Sequence, residues 1–293
     1  MRKKIFISGA TGFQGRAITK EVLSKGDKVV SLTSFEDKLI QNDEIKILKG
    51  SFEDKTSLQK ALHEVDAAVF TFPLIFDIDK AKAYTINFVS AAKENNVGLI
   101  VYNTSFDLPF ETTGYVALDM KTEIKKILDN SGLNIITLVP DIYIDNIAAP
   151  WSIPIIHHEA IVPYPVESDS KFPWISHFDL AKYVSSALDK PELSGQVFSI
   201  NSGLYTGEEI SESIGKTIGK QLSFVSVTPN DFEKQLVPAF GELAGGEISN
   251  LYRYVNEKQD VLREKSFSIT QEKLGVKPQK LQDWVQSIDW SLI

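Results

Sequence analysis

The sequence predicts an α/β fold: a Rossmann-type doubly wound parallel sheet with a smaller, mainly helical C-terminal domain on the substrate side. Three observations predict it. A short apolar run at residues 5–7 ends in glycines at positions 9, 12 and 15 and passes straight into an amphipathic segment, with Ala17, Ile18, Val22 and Leu23 at helical spacing. Apolar, β-prone runs then alternate with helical patterns as far as residue 140, which implies βαβ units. Beyond Pro140 the alternation loosens and the signals become mainly helical.

Taken in order, the first strand ends in a turn that lacks Cβ atoms at Gly9, Gly12 and Gly15. Backbone can therefore approach a ligand closely, and the helix can pack tightly on the strand. The N–H groups that open the helix have no intrahelical partners and lie at its positive dipole end, which suits a pyrophosphate. Strand, turn and helix together read as a dinucleotide site, the plainer alternative being an ordinary strand-to-helix connection. Residues 25–27 stop the helix, and 28–33 form the second strand. An Asp or Glu just past that strand would bind the ribose hydroxyl of NAD. Here the residue is Ser34, with Lys38 a turn later, so NADP(H) is favoured over NAD(H), although Glu36 and Asp37 oppose a phosphate.

A third strand at 44–49 ends in Gly50-Ser51-Phe52, and a helix covers about 57–62. Residues 65–72 form a fourth strand, near-continuously apolar as a strand covered on both faces should be. A long helix at 78–95, a fifth strand at 98–103, a helix at 118–130 and a sixth strand at 134–139 complete the alternation. The ligand site then lies at the carboxyl ends of the strands. Those ends carry residues 9–15, Thr33-Ser34, Thr71-Phe72-Pro73, Thr104-Ser105 and 140–143. Residues 148–173 are rich in Pro, aromatic residues and His, with little periodicity. A helix at 178–188 and a strand at 196–200 follow, then helices at 207–218, 229–236, 242–262 and 281–288. The expected domains are 1–140, with 175–202 rejoining the sheet, and 141–174 together with 203–293.

Composition narrows the function. A hydrophobic content of 43% with 24% charged residues furnishes a sizeable core. The net charge of −8 argues against a nucleic-acid surface, and the absence of cysteine excludes disulfides, thiol chemistry and cysteine metal sites. The apolar run after Met1-Arg2-Lys3-Lys4 is too short for a signal peptide, and no stretch reaches membrane-spanning length. A soluble, cytoplasmic protein that binds small molecules is expected, with its oligomeric state open. His157-His158-Glu159 offers no metal site: adjacent histidines on an extended chain point apart, and no third ligand has suitable spacing. Trp284 and Trp290 read as packing residues.

Several segments resemble the NmrA-like family of atypical short-chain dehydrogenase/reductases. They are Gly9-Ala10-Thr11-Gly12-Phe13-Gln14-Gly15, Ser131-Gly132-Leu133-Asn134-Ile135-Ile136, Pro140-Asp141-Ile142-Tyr143-Ile144-Asp145-Asn146, Trp174-Ile175-Ser176-His177-Phe178-Asp179-Leu180-Ala181 and Thr206-Gly207-Glu208-Glu209-Ile210. The likeness runs over residues 4–232. It implies binding of NADP(H) or NAD(H), in a family that includes quinone and ether reductases and redox-sensing regulators without demonstrated turnover. The resemblance assigns nucleotide contacts to Gly9, Thr11, Gly12, Phe13, Gln14 and Gly15, and places Ser51 and Phe52 by the adenine. It sets Thr71, Phe72 and Pro73 by the ribose and nicotinamide, and Lys121 near the nicotinamide ribose. Ser34 stands where many members carry an arginine for the 2′-phosphate.

Carbonyl reduction in the wider superfamily uses a Tyr and a Lys four residues apart on one helix, the lysine lowering the tyrosine's pKa. Four residues after Tyr115 the chain has Asp119, and Lys121 is six away, so that dyad is absent from this helix. Hydride transfer to a quinone-like or enone-like acceptor fits better, with Lys121 orienting the ribose and Tyr143 or water supplying the proton. For Lys121 the competing reading is a surface lysine among Lys125 and Lys126. Thr104 and Ser105 either bond a substrate carbonyl or cap the strand. The aromatic set Tyr143, Trp151, Tyr164, Phe172 and Trp174 either lines an apolar pocket or packs a small domain.

Overall fold

The structure is a computed structural model that describes residues 2–291. In chain order the strands are β1 (Lys4–Ile7), β2 (Lys28–Thr33), β3 (Ile40–Gln41), β4 (Ile45–Lys49), β5 (Ala67–Thr71), β6 (Leu99–Asn103), β7 (Ile135–Pro140), β8 (Ile142–Tyr143), β9 (Ile161–Tyr164), β10 (Phe172–Ile175), β11 (Val197–Ile200), β12 (Gly203–Tyr205) and β13 (Ser223–Ser226). The α-helices are α1 (Phe13–Ser24), α2 (Lys55–Leu62), α3 (Ile78–Glu94), α4 (Val116–Asp129), α5 (Ile153–Glu159), α6 (His177–Leu188), α7 (Gly207–Ile218), α8 (Pro229–Glu257), α9 (Gln259–Arg263), α10 (Ser268–Leu274) and α11 (Leu281–Ser287). Two compact units result. One comprises the chain up to Pro140 with Leu180–Ile200 and Ser268–Val276; the other comprises Asp141–Asp179, Asn201–Phe267 and the residues from Lys277 onward.

The first unit holds an eight-stranded sheet in the order β11-β7-β6-β5-β1-β2-β4-β3. Every pairing is parallel except that of β3 with β4. The chain winds outward from β1 through β2 to β4, then returns to lay β5 against the other side of β1, with Ile5 opposite Ala67. That reversal is the topological switch point, where the crevice at the carboxyl ends of the strands receives a ligand in open α/β sheets. The switch strands are apolar because both faces are covered: Ile5, Phe6, Ile7, Ala68, Val69 and Phe70 are fully buried. Phe6, Phe52, Phe70 and Phe88 form the aromatic part of this core, with Phe70 and Phe88 stacked at 4.5 Å. α10 also belongs to this unit, tied to α6 by the Ser186 hydroxyl donating to the Leu274 carbonyl.

The second unit carries two small sheets, β12-β10-β8 and β13-β9. Its core is an aromatic cluster in which Tyr164 contacts Trp174, Phe232 and Tyr252 at 5.2–5.6 Å between ring centroids. Residues 148–173, aperiodic in sequence, contain α5, β9 and the first residues of β10. Elements of four to seven residues are too short to display a period, and β9 pairs with β13 from some sixty residues later in the chain. His157 and His158 lie on α5 rather than on an extended chain, so they diverge by a helical step rather than to opposite faces. In α8, Gly241 at φ +80° breaks the helix into two runs, close to the gap expected between 236 and 242. Trp284 and Trp290 are buried and meet edge to face at 5.9 Å. Among the described residues, no helix is long and apolar enough to cross a membrane.

Candidate functional site

The glycine turn connects β1 to α1 at the switch point. Gly9 adopts φ +66°, and its carbonyl accepts from Gly12 N–H at 2.8 Å, closing the turn. A Cβ on Gly15 would lie 2.0 Å from the Gly9 oxygen, so glycine there is a steric requirement of the close strand–helix approach. Gly12 is the N-cap of α1 and no side chain caps it, which leaves the first-turn N–H groups directed at the crevice. Arg16 folds back so that its Nε donates to the Thr11 carbonyl at 2.7 Å. Phe13 is 64% exposed on the turn. A dinucleotide pyrophosphate fits this turn: no side chain stands over its open face at Gly9 or Gly12, and the N–H groups that open α1 have no side-chain cap.

The neighbouring strand ends are stitched to the turn. Ser31 in β2 donates to the Ile7 carbonyl at 2.6 Å, and Ser8 bonds the backbone of Thr71, donating to its oxygen and accepting from its N–H. Past β2, Ser34 is exposed and Lys38 sits half-buried with its ammonium 4.5 Å from the Phe35 ring centroid. Of the two acids that weigh against a phosphate, Glu36 is paired with Lys49 and Asp37 is exposed. Phe52 directs its ring into the aromatic core, and Ser51 bonds Ser57 through its backbone. Phe72 and Pro73 follow β5 half-buried, Phe72 packing near Tyr84.

Sequence reasoning missed Asn103. It ends β6 wholly buried, and its Nδ2 donates to Gln14 Oε1 at 2.8 Å and to Thr71 Oγ1 at 3.2 Å. Its Oδ1 accepts from the Ser105 N–H at 3.1 Å, and Ser105 Oγ donates to Gln14 at 3.2 Å. The available signal was an asparagine closing an otherwise apolar strand at the sheet's ligand edge. Ser105 holds φ +61°, uncommon for a residue with a Cβ. The Thr104 hydroxyl shares its one proton between the Phe106 and Leu138 carbonyls, the geometry of a strand cap.

Lys121 is not a surface lysine. It is 8% exposed on the face of α4 that also buries Leu118, Ile124 and Leu128, whereas Lys126 is solvent-facing. Its Nζ donates to the Thr104 carbonyl at 2.9 Å, which anchors the amine at the carboxyl end of β6. Burial pulls its pKa down to about 8, partly opposed by the nearby Asp107 carboxylate. Tyr115 is the N-cap of α4. Asp119, which stands where the dyad lysine would be, accepts from Thr113 N–H at 2.7 Å, Thr113 Oγ1 at 2.8 Å and Gly114 N–H at 3.0 Å.

Tyr143 lies in the second unit, buried, with its ring 5.0 Å from that of His177. His177 opens α6: its N–H donates to Asp145 Oδ2 at 2.8 Å, and burial lowers its imidazole pKa. Tyr164, Phe172 and Trp174 are fully buried packing residues, and Trp151 stacks edge-on to Phe240. Among the described residues, no three His, Cys, Asp or Glu side chains cluster as a metal site.

The family model described as the NmrA-like family matches residues 1–285. Prestalk A differentiation protein A of Dictyostelium discoideum is 26% identical over 266 residues, covering 87% of this chain and 83% of its own. The fold is shared with Citrobacter sp. triphenylmethane reductase in complex with NADP(H), at a TM-score of 0.78 and 16% identity over 98% of this chain and 100% of that one. It is also shared with the negative transcriptional regulator NmrA, at a TM-score of 0.73 and 14% identity over 99% of each. A triphenylmethane reductase and a transcriptional regulator thus carry one architecture, so the likeness establishes the fold and leaves activity to the site. With its family model matched along nearly the whole length and the topology in agreement, this chain belongs to the NmrA-like family.

Proposed function

We propose that this protein is an NAD(P)H-dependent reductase, with NADP(H) favoured, that passes a hydride to a quinone-like or enone-like small molecule. The observation that carries the proposal is the glycine turn, with its uncapped helix N-terminus and sterically required Gly15, standing at the switch point of a parallel sheet. Bound there, a nicotinamide dinucleotide supplies the hydride. Backbone N–H groups of the turn and α1 hold the pyrophosphate. Lys121, fixed on the Thr104 carbonyl, orients the ribose hydroxyls. The proton for the reduced acceptor comes from Tyr143 or from water. Preference for NADP(H) is supported by the exposed Ser34 hydroxyl, by Lys38 without an acid partner among the described residues, and by the pairing of Glu36 with Lys49, and is opposed by the exposed Asp37. Hydrogen bonds to a charged group contribute about 1.5–3 kcal/mol each, enough to select one cofactor.

Titration of intrinsic fluorescence with NADPH and NADH tests the binding. Ser34→Arg is expected to tighten NADPH, and Ser34→Asp to shift preference to NADH; binding of neither cofactor by the wild type would sink the proposal. Oxidation of NADPH across a panel of quinones and enones then tests turnover.

A second reading is an NADP(H)-sensing regulatory protein. It is favoured by Asp119, which caps a loop where a catalytic lysine would be needed for carbonyl reduction. Tight NADPH binding with no turnover on any acceptor, together with a protein partner captured only in its presence, would select this reading.

A further inference from the structure

We infer that Asn103 is a positioning residue that polarises a hydrogen-bond chain, so that Gln14 presents its two amide protons and Thr71 its hydroxyl proton to oxygen acceptors of the bound dinucleotide. The inference rests on the dinucleotide site proposed above and assigns a role to a residue outside it.

The direction of the chain follows from one group that has no choice. The Ser105 backbone N–H can only donate, and it meets Asn103 Oδ1 at 3.1 Å. That contact fixes which way the Asn103 amide faces, since the two ends of an amide are otherwise interchangeable. Its Nδ2 is then the end facing Gln14 and Thr71, and both of its protons are used, at 2.8 Å and 3.2 Å. Gln14 must answer with its Oε1, which also accepts from Ser105 Oγ at 3.2 Å. Its Nε2 protons are thereby turned away from the protein. Thr71 accepts through Oγ1, so its own hydroxyl proton must also leave the chain.

Among the described residues, no acceptor takes either the Gln14 Nε2 protons or the Thr71 hydroxyl proton. Gln14 and Thr71 are half-buried, whereas Asn103 is wholly enclosed, so the two outward donors lie at the margin of the crevice and their director lies behind it. Gln14 is the second residue of α1, adjacent to the uncapped N–H groups, and Thr71 ends the strand on the other side of the switch point. Buried networks satisfied in this one-way manner hold donors in place without reorganisation.

The test separates direction from mere presence. In Asn103→Asp the side chain keeps its shape and its bond from Ser105 N–H but cannot donate. Gln14 must then turn its Nε2 inward and Oε1 outward, and the Thr71 proton turns inward too. NADPH affinity is expected to fall by about thirty-fold. The uncharged Asn103→Ala leaves Gln14 free to take either orientation and should lose less, about five-fold. A purely structural role predicts the opposite order, because Ala abolishes all three bonds.

Charge repulsion from the new carboxylate is separated by a double-mutant cycle with Gln14→Met. Acting through Gln14, Asn103→Asp should cost at most a third as many fold in the Gln14→Met background; an equal cost in both backgrounds overturns the inference. Thermal unfolding of each variant reports folding. Should Asn103→Asp fail to fold, Thr71→Val removes one outward donor and leaves the Asn103–Gln14 bond. It should weaken NADPH about ten-fold, and unchanged affinity overturns the inference. Wild-type protein that binds no dinucleotide overturns the functional reading and this one together. Wild-type binding with the order of the two Asn103 variants reversed overturns this one alone.

Discussion

An amine buried on an apolar helix face is costly, and Lys121 bears that cost with one carbonyl as its recorded hydrogen-bond partner. The ordinary lysine value of 10.5 falls to about 8 in the folded protein. Between these two values the unfolded chain holds more protons than the native state, so stability rises with pH across that window. Below about pH 8 the amine is charged in both states and the full penalty is present. Comparison with Lys121→Met isolates the effect: the wild type should gain on the variant by about 3 kcal/mol between pH 8 and 10.5 in denaturant unfolding. A pH-independent difference would mean that the amine is solvated. The sequence left Lys121 undecided because its neighbours Lys125 and Lys126 are also lysines. Helical phase alone does not say which side of α4 the sheet covers; packing does, and it buries Lys121 together with Ile124 and Leu128.

At the scale of elements, β1, the turn and α1 behave as one unit because Gly15 allows the first turn of the helix to sit against the Gly9 carbonyl. Gly15→Ala cannot be absorbed by a rotamer change, since the clash at 2.0 Å is with backbone. It is expected to destabilise the protein by about 2–4 kcal/mol in urea titration and to weaken dinucleotide binding at least ten-fold. Retained stability and affinity would show that the strand–helix approach is adjustable. The elements of this region were legible because their signals are local: a run of apolar residues, glycines three apart, an amphipathic period. β9 and β10 were not. Each has four residues, and β9 includes Pro163, a residue tolerated where a strand pairs on one side only.

For the molecule as a whole, a ligand that binds only the native state adds RT ln(1 + [L]/Kd) to the stability of the unit that holds it. NADPH at a hundred times its Kd should add about 2.7 kcal/mol and raise the unfolding transition of the sheet-bearing unit by about 5–10 °C. NADH at the same concentration should raise it less if Ser34 and Lys38 hold a 2′-phosphate. Equal shifts would remove that preference. By itself the sequence determined the parallel α/β sheet, the glycine turn and the absence of a Tyr–Lys dyad from α4, because each is written in residues adjacent along the chain or one helical turn apart. Only the tertiary structure decided that Lys121 is buried, that Thr104 is consumed as a strand cap, that Phe52 belongs to the core, and that Asn103 stands behind Gln14 and Thr71. Those facts join β1, α1, β5, β6 and α4 across as many as eighty-nine positions of chain. Contacts at that separation are set by how the strands order themselves in the sheet, and no local pattern encodes which strand will lie beside which.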